Sequence, residues 1–354
     1  MSDIEFKVKG SIGHILLNRP KALNALTLDM CERLFPKLQE WAVDDMINAV
    51  IIRGAGKKAF CAGGDVIRLY EDGSKGGAYP RIFYNMEYRC NALIKNFPKP
   101  YIALIDGIVM GGGVGVSVHG SYRIVTERTV FAMPETGIGL FPDVGGTWFL
   151  PRLRGSTGMY LGLTGRRLKG AECVALGLAE AFVPSNSLDD LEAKLVNESP
   201  AELSQIVSTV KNFAMPEERI AISAERPAID KHFGLGSVEK IIGSLESDGS
   251  EWAKTQVKTL RQKSPLSLKI TFRQLCEGAA LQFEDCMRLE WRLANRFATD
   301  FDFYEGVRAL LVDKDMNPQW SPATLADVTD TKINTYFESL PGNELDLNGI
   351  VRGN

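Results

Sequence analysis

Apolar and polar positions follow two periods along the first half of this chain. Glu5 to Leu17 has strand character, and Ala49 to Arg53 (AVIIR) is a short apolar run of the kind that forms a buried strand. Between them Leu28, Cys31, Leu34, Leu38 and Trp41 recur at helical spacing after Thr27, a residue suited to an N-cap. Pro36 within that pattern predicts a kink or a late start. Further strands are predicted at Tyr101 to Ile105 and Tyr122 to Val125, with helices or glycine loops between. Strand and helix alternating in this way predict an α/β domain rather than a sandwich.

The pattern changes after about Pro184. From Leu188 helical periodicity dominates, with breaks expected at Pro216, Pro227 and Pro265 and a charged linker around Ser244 to Glu251. Phe283 to Leu311 reads as two amphipathic helices, and the tail beyond Pro322 is polar, ending in a loose Gly/Asn segment. No internal repeat or low-complexity block is visible. The predicted organisation is an α/β core over residues 1–190 and a helical C-terminal region over 191–354.

Composition narrows the class. With 354 residues, 45% hydrophobic and 24% charged, the chain can bury a sizeable core, which excludes disorder and collagen. Its 41 basic and 44 acidic residues leave a net charge of -3, which argues against a nucleic-acid partner met through a broad basic face. The longest uncharged apolar stretch, Gly107 to Val118, is too short to span a bilayer, and no secretory leader is expected. Six cysteines without CxxC pairs and only three histidines give no zinc spacing; buried free thiols in a reducing cytoplasm are the expectation.

Chemistry concentrates in three glycine-rich places: Phe60-Cys61-Ala62-Gly63-Gly64-Asp65, Met110-Gly111-Gly112-Gly113-Val114-Gly115, and Met133-Pro134-Glu135-Thr136-Gly137-Ile138-Gly139 running on to Phe141-Pro142-Asp143-Val144-Gly145-Gly146. The dinucleotide and P-loop phosphate signatures fit none of them. Ser117 gives a near miss to a nucleophile elbow, ending in His119, and no Ser/His/Asp triad is readable. Glycine turns after strands can instead aim two backbone N–H groups at one carbonyl oxygen, forming an oxyanion hole. Packing turns would explain any one cluster alone; two clusters plus a carboxylate-bearing loop favour the oxyanion hole.

These motifs, in this order, resemble the crotonase (enoyl-CoA hydratase/isomerase) superfamily. Ile15-Leu16-Leu17-Asn18-Arg19-Pro20-Lys21-Ala22-Leu23-Asn24-Ala25-Leu26 looks like its acyl-CoA-binding segment, and Phe297-Ala298-Thr299 with Glu305-Gly306-Val307-Arg308-Ala309 looks like its closing helix. The resemblance implies an α/β fold, a β-β-α spiral core with an enlarged helical C-terminal region. It implies that the amides of Gly64 and Gly112 polarise a thioester carbonyl. It also implies that Lys21, Asn24, Ala25, Leu26, Ala62 and Gly63 lie along the CoA-bearing substrate. Arg19 and Lys21 could reach CoA phosphates, though exposed basic residues are usually only solvated. Asp65 is expected to be a helix N-cap.

Hydratases of the superfamily clamp a water between two glutamates, the first at position 115. Here that residue is Gly115. The second carboxylate is kept as Glu135, and Asp143 stands where hydratases usually have glycine. With extra residues between about 200 and 263, this resembles the 3-hydroxyisobutyryl-CoA hydrolase branch, in which Glu87 matches an acid lining the substrate site. The implied reaction is hydrolysis of 3-hydroxyisobutyryl-CoA to CoA and 3-hydroxyisobutyrate, a step of valine degradation. Glu135 would be nucleophile or base, and Asp143 would orient the 3-hydroxyl or water and assist the leaving thiolate. Simpler readings exist: Glu135 as an acid opening a helix, Asp143 as a Pro-Asp turn, Glu87 on a solvated helix face. An enoyl-CoA isomerase or hydratase is the nearest rival, and a non-catalytic binding protein of the same fold a second. No metal or cofactor is expected, CoA entering with the substrate, and no nucleic acid or membrane partner. Trimers or hexamers are common in the superfamily, so a homo-oligomer is compatible with the resemblance.

Overall fold

The structure, a computed structural model, describes residues 2–215 and 221–351. Pro216 therefore lies outside the described residues. Strands β1 (Ile4–Lys9) and β2 (Ile12–Leu17) form an antiparallel hairpin over the segment expected to be strand. The chain then winds. β3 (Ala49–Gly54), β5 (Tyr101–Ile105) and β7 (Tyr122–Val125) pair in parallel in a six-stranded sheet of order β1-β2-β3-β5-β7-β10, closed by β10 (Ala181–Phe182). After each of the three the chain crosses into a second sheet, as β4 (Ala59–Cys61), β6 (Ile108–Met110) and β8 (Val130–Ala132), also mutually parallel, with β9 (Leu168–Lys169) antiparallel at its edge. This is the expected β-β-α spiral.

The spiral explains why the motifs meet. Each of β4, β6 and β8 is followed at its C-terminal end by one motif: Ala62–Gly64, Gly111–Gly112 and Pro134–Glu135. Parallel strands put three sequence-distant loops on one sheet edge, the position at which open α/β sheets bind ligands. The large sheet is buried on both faces, as continuous apolar runs predict. Val50, Ile52 and Ala103 join the main core, while Ile51, Ile102 and Leu104 pack with Leu188, Leu191 and Ile206 of the helices Leu188–Glu198 and Leu203–Lys211.

The helix after Thr27 runs unbroken over Leu28–Val43, with the Thr27 side chain accepting from Met30 N–H. Pro36 does not delay it. Pro36 and Glu32, the residue whose carbonyl the proline cannot bond, are both exposed, so the break in the ladder lies on the helix's solvent face. Pro227 likewise sits exposed inside a helix, Ala221–Phe233, rather than ending one, whereas Pro265 opens Pro265–Gly278 as expected. The expected linker around Ser244 to Glu251 shrinks to Gly249 and Ser250: Gly249, with φ of 67°, ends Val238–Asp248, and Ser250 caps Glu251–Arg261. Phe283 to Leu311 gives Phe283–Phe297 and Phe301–Val307, the second extended by a π-helical turn, Arg308–Val312. The tail is less loose than its polarity suggests. Asp330–Phe337 is helical and buries Ile333, Tyr336 and Phe337, and Leu345, Leu347 and Ile350 are buried beyond it. All six cysteines are free, five buried and Cys276 exposed. Among the described residues no helix is long and apolar enough to cross a membrane.

Candidate active site

A cavity of about 490 Å³ opens at the motif edge, with Ala62, Gly63, Gly64, Gly112, Glu135 and Asp143 in its wall. Glu87 lies there too, 2% exposed, on the helix Tyr79–Lys95. It is not on a solvated face. Phe83 and Tyr84 of the same helix line the cavity and give it an aromatic wall.

The two glycine amides are neighbours. A Cβ placed on Gly112 would stand 3.2 Å from Gly64 N, 2.3 Å from Glu87 Oε1 and 3.1 Å from Leu26 Cδ1, so only glycine leaves the space between them open. Among the described residues neither N–H donates to another group. Two unspent donors side by side in a walled cavity suit a carbonyl oxygen gaining negative charge. Glu135 is adjacent: its Oε1 is 3.3 Å from where a Cβ on Gly111 would lie.

The segment Lys21 to Leu26 lies outside that cavity's wall. Lys21 is exposed, and neither it nor Asn24, Ala25 or Leu26 is in the cavity wall. The segment braces the Gly64 loop. Ala62 N–H bonds to Leu23 O (3.0 Å), Leu26 N–H to Gly63 O (2.8 Å) and Asp65 N–H to Leu26 O (2.8 Å). Asn24, fully buried, donates to Ala55 O and Ala59 O and accepts from Arg19 N–H, all at 2.9 Å. Arg19 is spent on Ala25 O (2.7 Å) and Asp65 (3.0 Å), while Asp65 caps Val66–Gly73. A buried asparagine and a paired arginine therefore hold the loop that presents Gly64.

Position 115 is closed. A Cβ on Gly115 would meet Asn91 Nδ2 at 2.6 Å and Val144 Cβ at 2.7 Å, leaving no room for any longer side chain. The third acid of the cavity is Asp143, held by the Tyr88 hydroxyl, which donates to its Oδ2 at 2.9 Å.

Three buried carboxyls without a matching cation beside each strain the electrostatics. Burial, then repulsion from Asp143, carries Glu87 well above the carboxylate range, and one of its oxygens has no hydrogen-bond partner among the described residues. Glu135 is raised for the same two reasons and pulled back by Lys263, which shares the cavity wall with Arg167. Asp143 is pushed up to about 7 by burial, against the lowering pull of Tyr88. Burial and mutual repulsion thus disfavour ionising all three carboxyls at once.

Sequence reasoning missed Glu290. It is fully buried on Phe283–Phe297 and accepts from Gly145 N–H (2.7 Å) and Thr147 N–H (2.9 Å), just after Asp143. The available signal was an acid inside an apolar stripe, one turn from both Cys286 and Ala294. His119, kept neutral by burial (down to about 3), bonds the Val144 carbonyl at 2.7 Å through Nε2. Ser117 Oγ donates to Gly113 O and Val114 O rather than to His119, whereas Ser244 Oγ meets His232 Nδ1 at 2.8 Å, with Asp248 at 3.4 Å from the same ring, in the helical region beside Trp252. His232 is 1% exposed and its trio ties helices together.

The family model described as enoyl-CoA hydratase/isomerase matches residues 12–337. The chain is 47% identical over 354 residues to a protein of Danio rerio named "3-hydroxyisobutyryl-CoA hydrolase, mitochondrial", covering 98% of this chain and 92% of that one. To the Homo sapiens protein of that name it is 44% identical over 348 residues, covering 97% and 90%. Among solved structures it is similar to a carnitinyl-CoA dehydratase from Mycobacterium thermoresistibile, with a TM-score of 0.93, 37% identity and coverage of 99% and 100%. An enoyl-CoA hydratase from Rhodobacter sphaeroides gives a TM-score of 0.89 at 35% identity, covering 98% and 100%. With its motifs on one edge of a β-β-α spiral and a family match over nearly its whole length, the chain belongs to the enoyl-CoA hydratase/isomerase family.

Proposed function

We propose that this chain hydrolyses acyl-CoA thioesters, with 3-hydroxyisobutyryl-CoA as the preferred substrate, giving CoA and 3-hydroxyisobutyrate. Names among its relatives divide between thioester cleavage and the addition or removal of water. One observation favours cleavage: position 115, where the resemblance puts the first glutamate of a water clamp, is a glycine packed shut by Asn91 and Val144. Glu135 then works without that partner, and Asp143 supplies the second acid.

In this reading the Gly64 and Gly112 amides take the thioester oxygen. Glu135 acts at the carbonyl carbon in one of two balanced ways. It removes a proton from water as the water attacks and CoA thiolate leaves, or it attacks to give an anhydride and thiolate, and water then opens the anhydride. A thiolate is a weak base, so its departure asks little of a general acid. Asp143 accepts the substrate 3-hydroxyl or the water. Glu87, next to the oxyanion hole, must stay protonated there, since a carboxylate would oppose the developing charge. Neither a metal nor a redox cofactor is required. The location belongs to the proposal only as a reducing compartment suited to free thiols: cytoplasm was expected, whereas the relatives are named mitochondrial.

Thiol release across a panel of acyl-CoAs tests the function. The expected result is rapid CoA release from 3-hydroxyisobutyryl-CoA and no hydration of crotonyl-CoA. Hydration or double-bond migration without free CoA would replace this reading with a hydratase or isomerase.

A further inference from the structure

Asp143 begins a turn that its own residues disfavour. Val144, β-branched, has φ of 49°, and Gly145 follows at 88°. A non-glycine residue stays in the left-handed region only where its surroundings over-determine it. The core contributes His119 on the Val144 carbonyl and Tyr88 on Asp143, and the C-terminal helices hold the flanking residues. Glu290 bonds the amides of Gly145 and Thr147 with its two oxygens, at 2.7 and 2.9 Å. Gln274, fully buried on Pro265–Gly278, donates from Nε2 to Pro142 O and to Thr147 Oγ1, both at 2.7 Å. The residues before and after Val144 are thus gripped from two separate helices.

We infer that Glu290 and Gln274 are positioning residues for catalysis, a clamp that fixes the Asp143 turn and so sets where the Asp143 carboxyl stands against the substrate. The inference rests on the hydrolase reading. Under it the helical C-terminal region is part of the catalytic apparatus, since the clamp is built from two of its helices.

The chemistry of the clamp is specific. A carboxyl at 290 presents an acceptor to each of two amide donors. Glutamine of the same shape presents one acceptor and an NH2 group that confronts the second N–H, so one bond is lost and a donor faces a donor. Gln274 is needed in the opposite sense, as a double donor to a carbonyl and a hydroxyl. A near-isosteric methionine there removes both bonds at little cost in volume.

The test is a double-mutant cycle on the full chain, measured by CoA release from 3-hydroxyisobutyryl-CoA. Glu290→Gln is expected to lower kcat by roughly 10- to 100-fold with KM within about twofold, because a small displacement of a reacting group is felt in the rate rather than in binding. In an Asp143→Asn background the same change is expected to cost less than about twofold further, since residues acting through one group are not additive. Gln274→Met is expected to behave likewise, and carries the test alone if Glu290→Gln does not fold. Arg288→Ala, on the exposed face of the helix that bears Glu290, is the control and leaves kcat unchanged. Equal losses in both backgrounds, or folded variants with normal kcat, would overturn the clamp and leave the hydrolase reading standing. No CoA release from the unmodified chain would overturn both.

Discussion

Replacing Glu135 by glutamine is expected to lower CoA release by about 1000-fold while KM stays within about threefold. Glutamine fills the same volume and keeps a polar end, but it can neither accept a proton at neutral pH nor form an anhydride. Losses of roughly 100- to 10,000-fold are typical when a positioned base is removed. The fold should tolerate the change, because Glu135 is 5% exposed and one of its oxygens has no hydrogen-bond partner among the described residues. Steady-state rates with circular dichroism of the purified variant decide the point. A folded variant retaining more than about a tenth of the activity would remove Glu135 from the chemistry.

Asp143→Asn is expected to act in two directions, lowering kcat by roughly 100-fold and raising stability above neutral pH. Burial raises this carboxyl from an ordinary 3.8 to about 7 in the folded protein. The folded state therefore holds the proton more tightly than the unfolded state. Its contribution is fully favourable below about pH 4 and is lost as pH rises through 7. At pH 8 the native enzyme carries a buried charge that asparagine does not, so Tm should rise by a few degrees there, with the gain shrinking toward pH 5. Thermal melts at the two pH values check the sign. A lower Tm at pH 8 would mean that the contact with Tyr88 outweighs the cost of desolvation.

The longer strands of the large sheet and the motif loops were legible from local pattern, whereas the two- and three-residue strands of the small sheet are too short to show a period. A doubly buried stretch such as Ala49 to Ile52 must be continuously apolar, and the glycine motifs stand out by composition alone. Other parts depend on what lies opposite. Nothing in the sequence around Gly115 says that Asn91 and Val144 fill its side-chain space. Nor does anything near Lys21 to Leu26 say that these residues brace the Gly64 loop from outside the cavity. In the polar tail, Ile333, Tyr336 and Phe337 are too few to show a period, yet they pack as one helix face. Glu290 and Gln274 were legible in principle as polar residues in buried stripes, but their partners lie far away in sequence.

The most direct measurement is a crystal structure of the protein with a substrate analogue whose thioester sulfur is replaced by CH2. The ketone oxygen is expected about 2.7–3.1 Å from both Gly64 N and Gly112 N, with the Glu135 carboxyl facing the carbonyl carbon. A carbonyl pointing away from those amides, or a Glu135 side chain walled off from the bound ligand, would contradict the proposed mechanism.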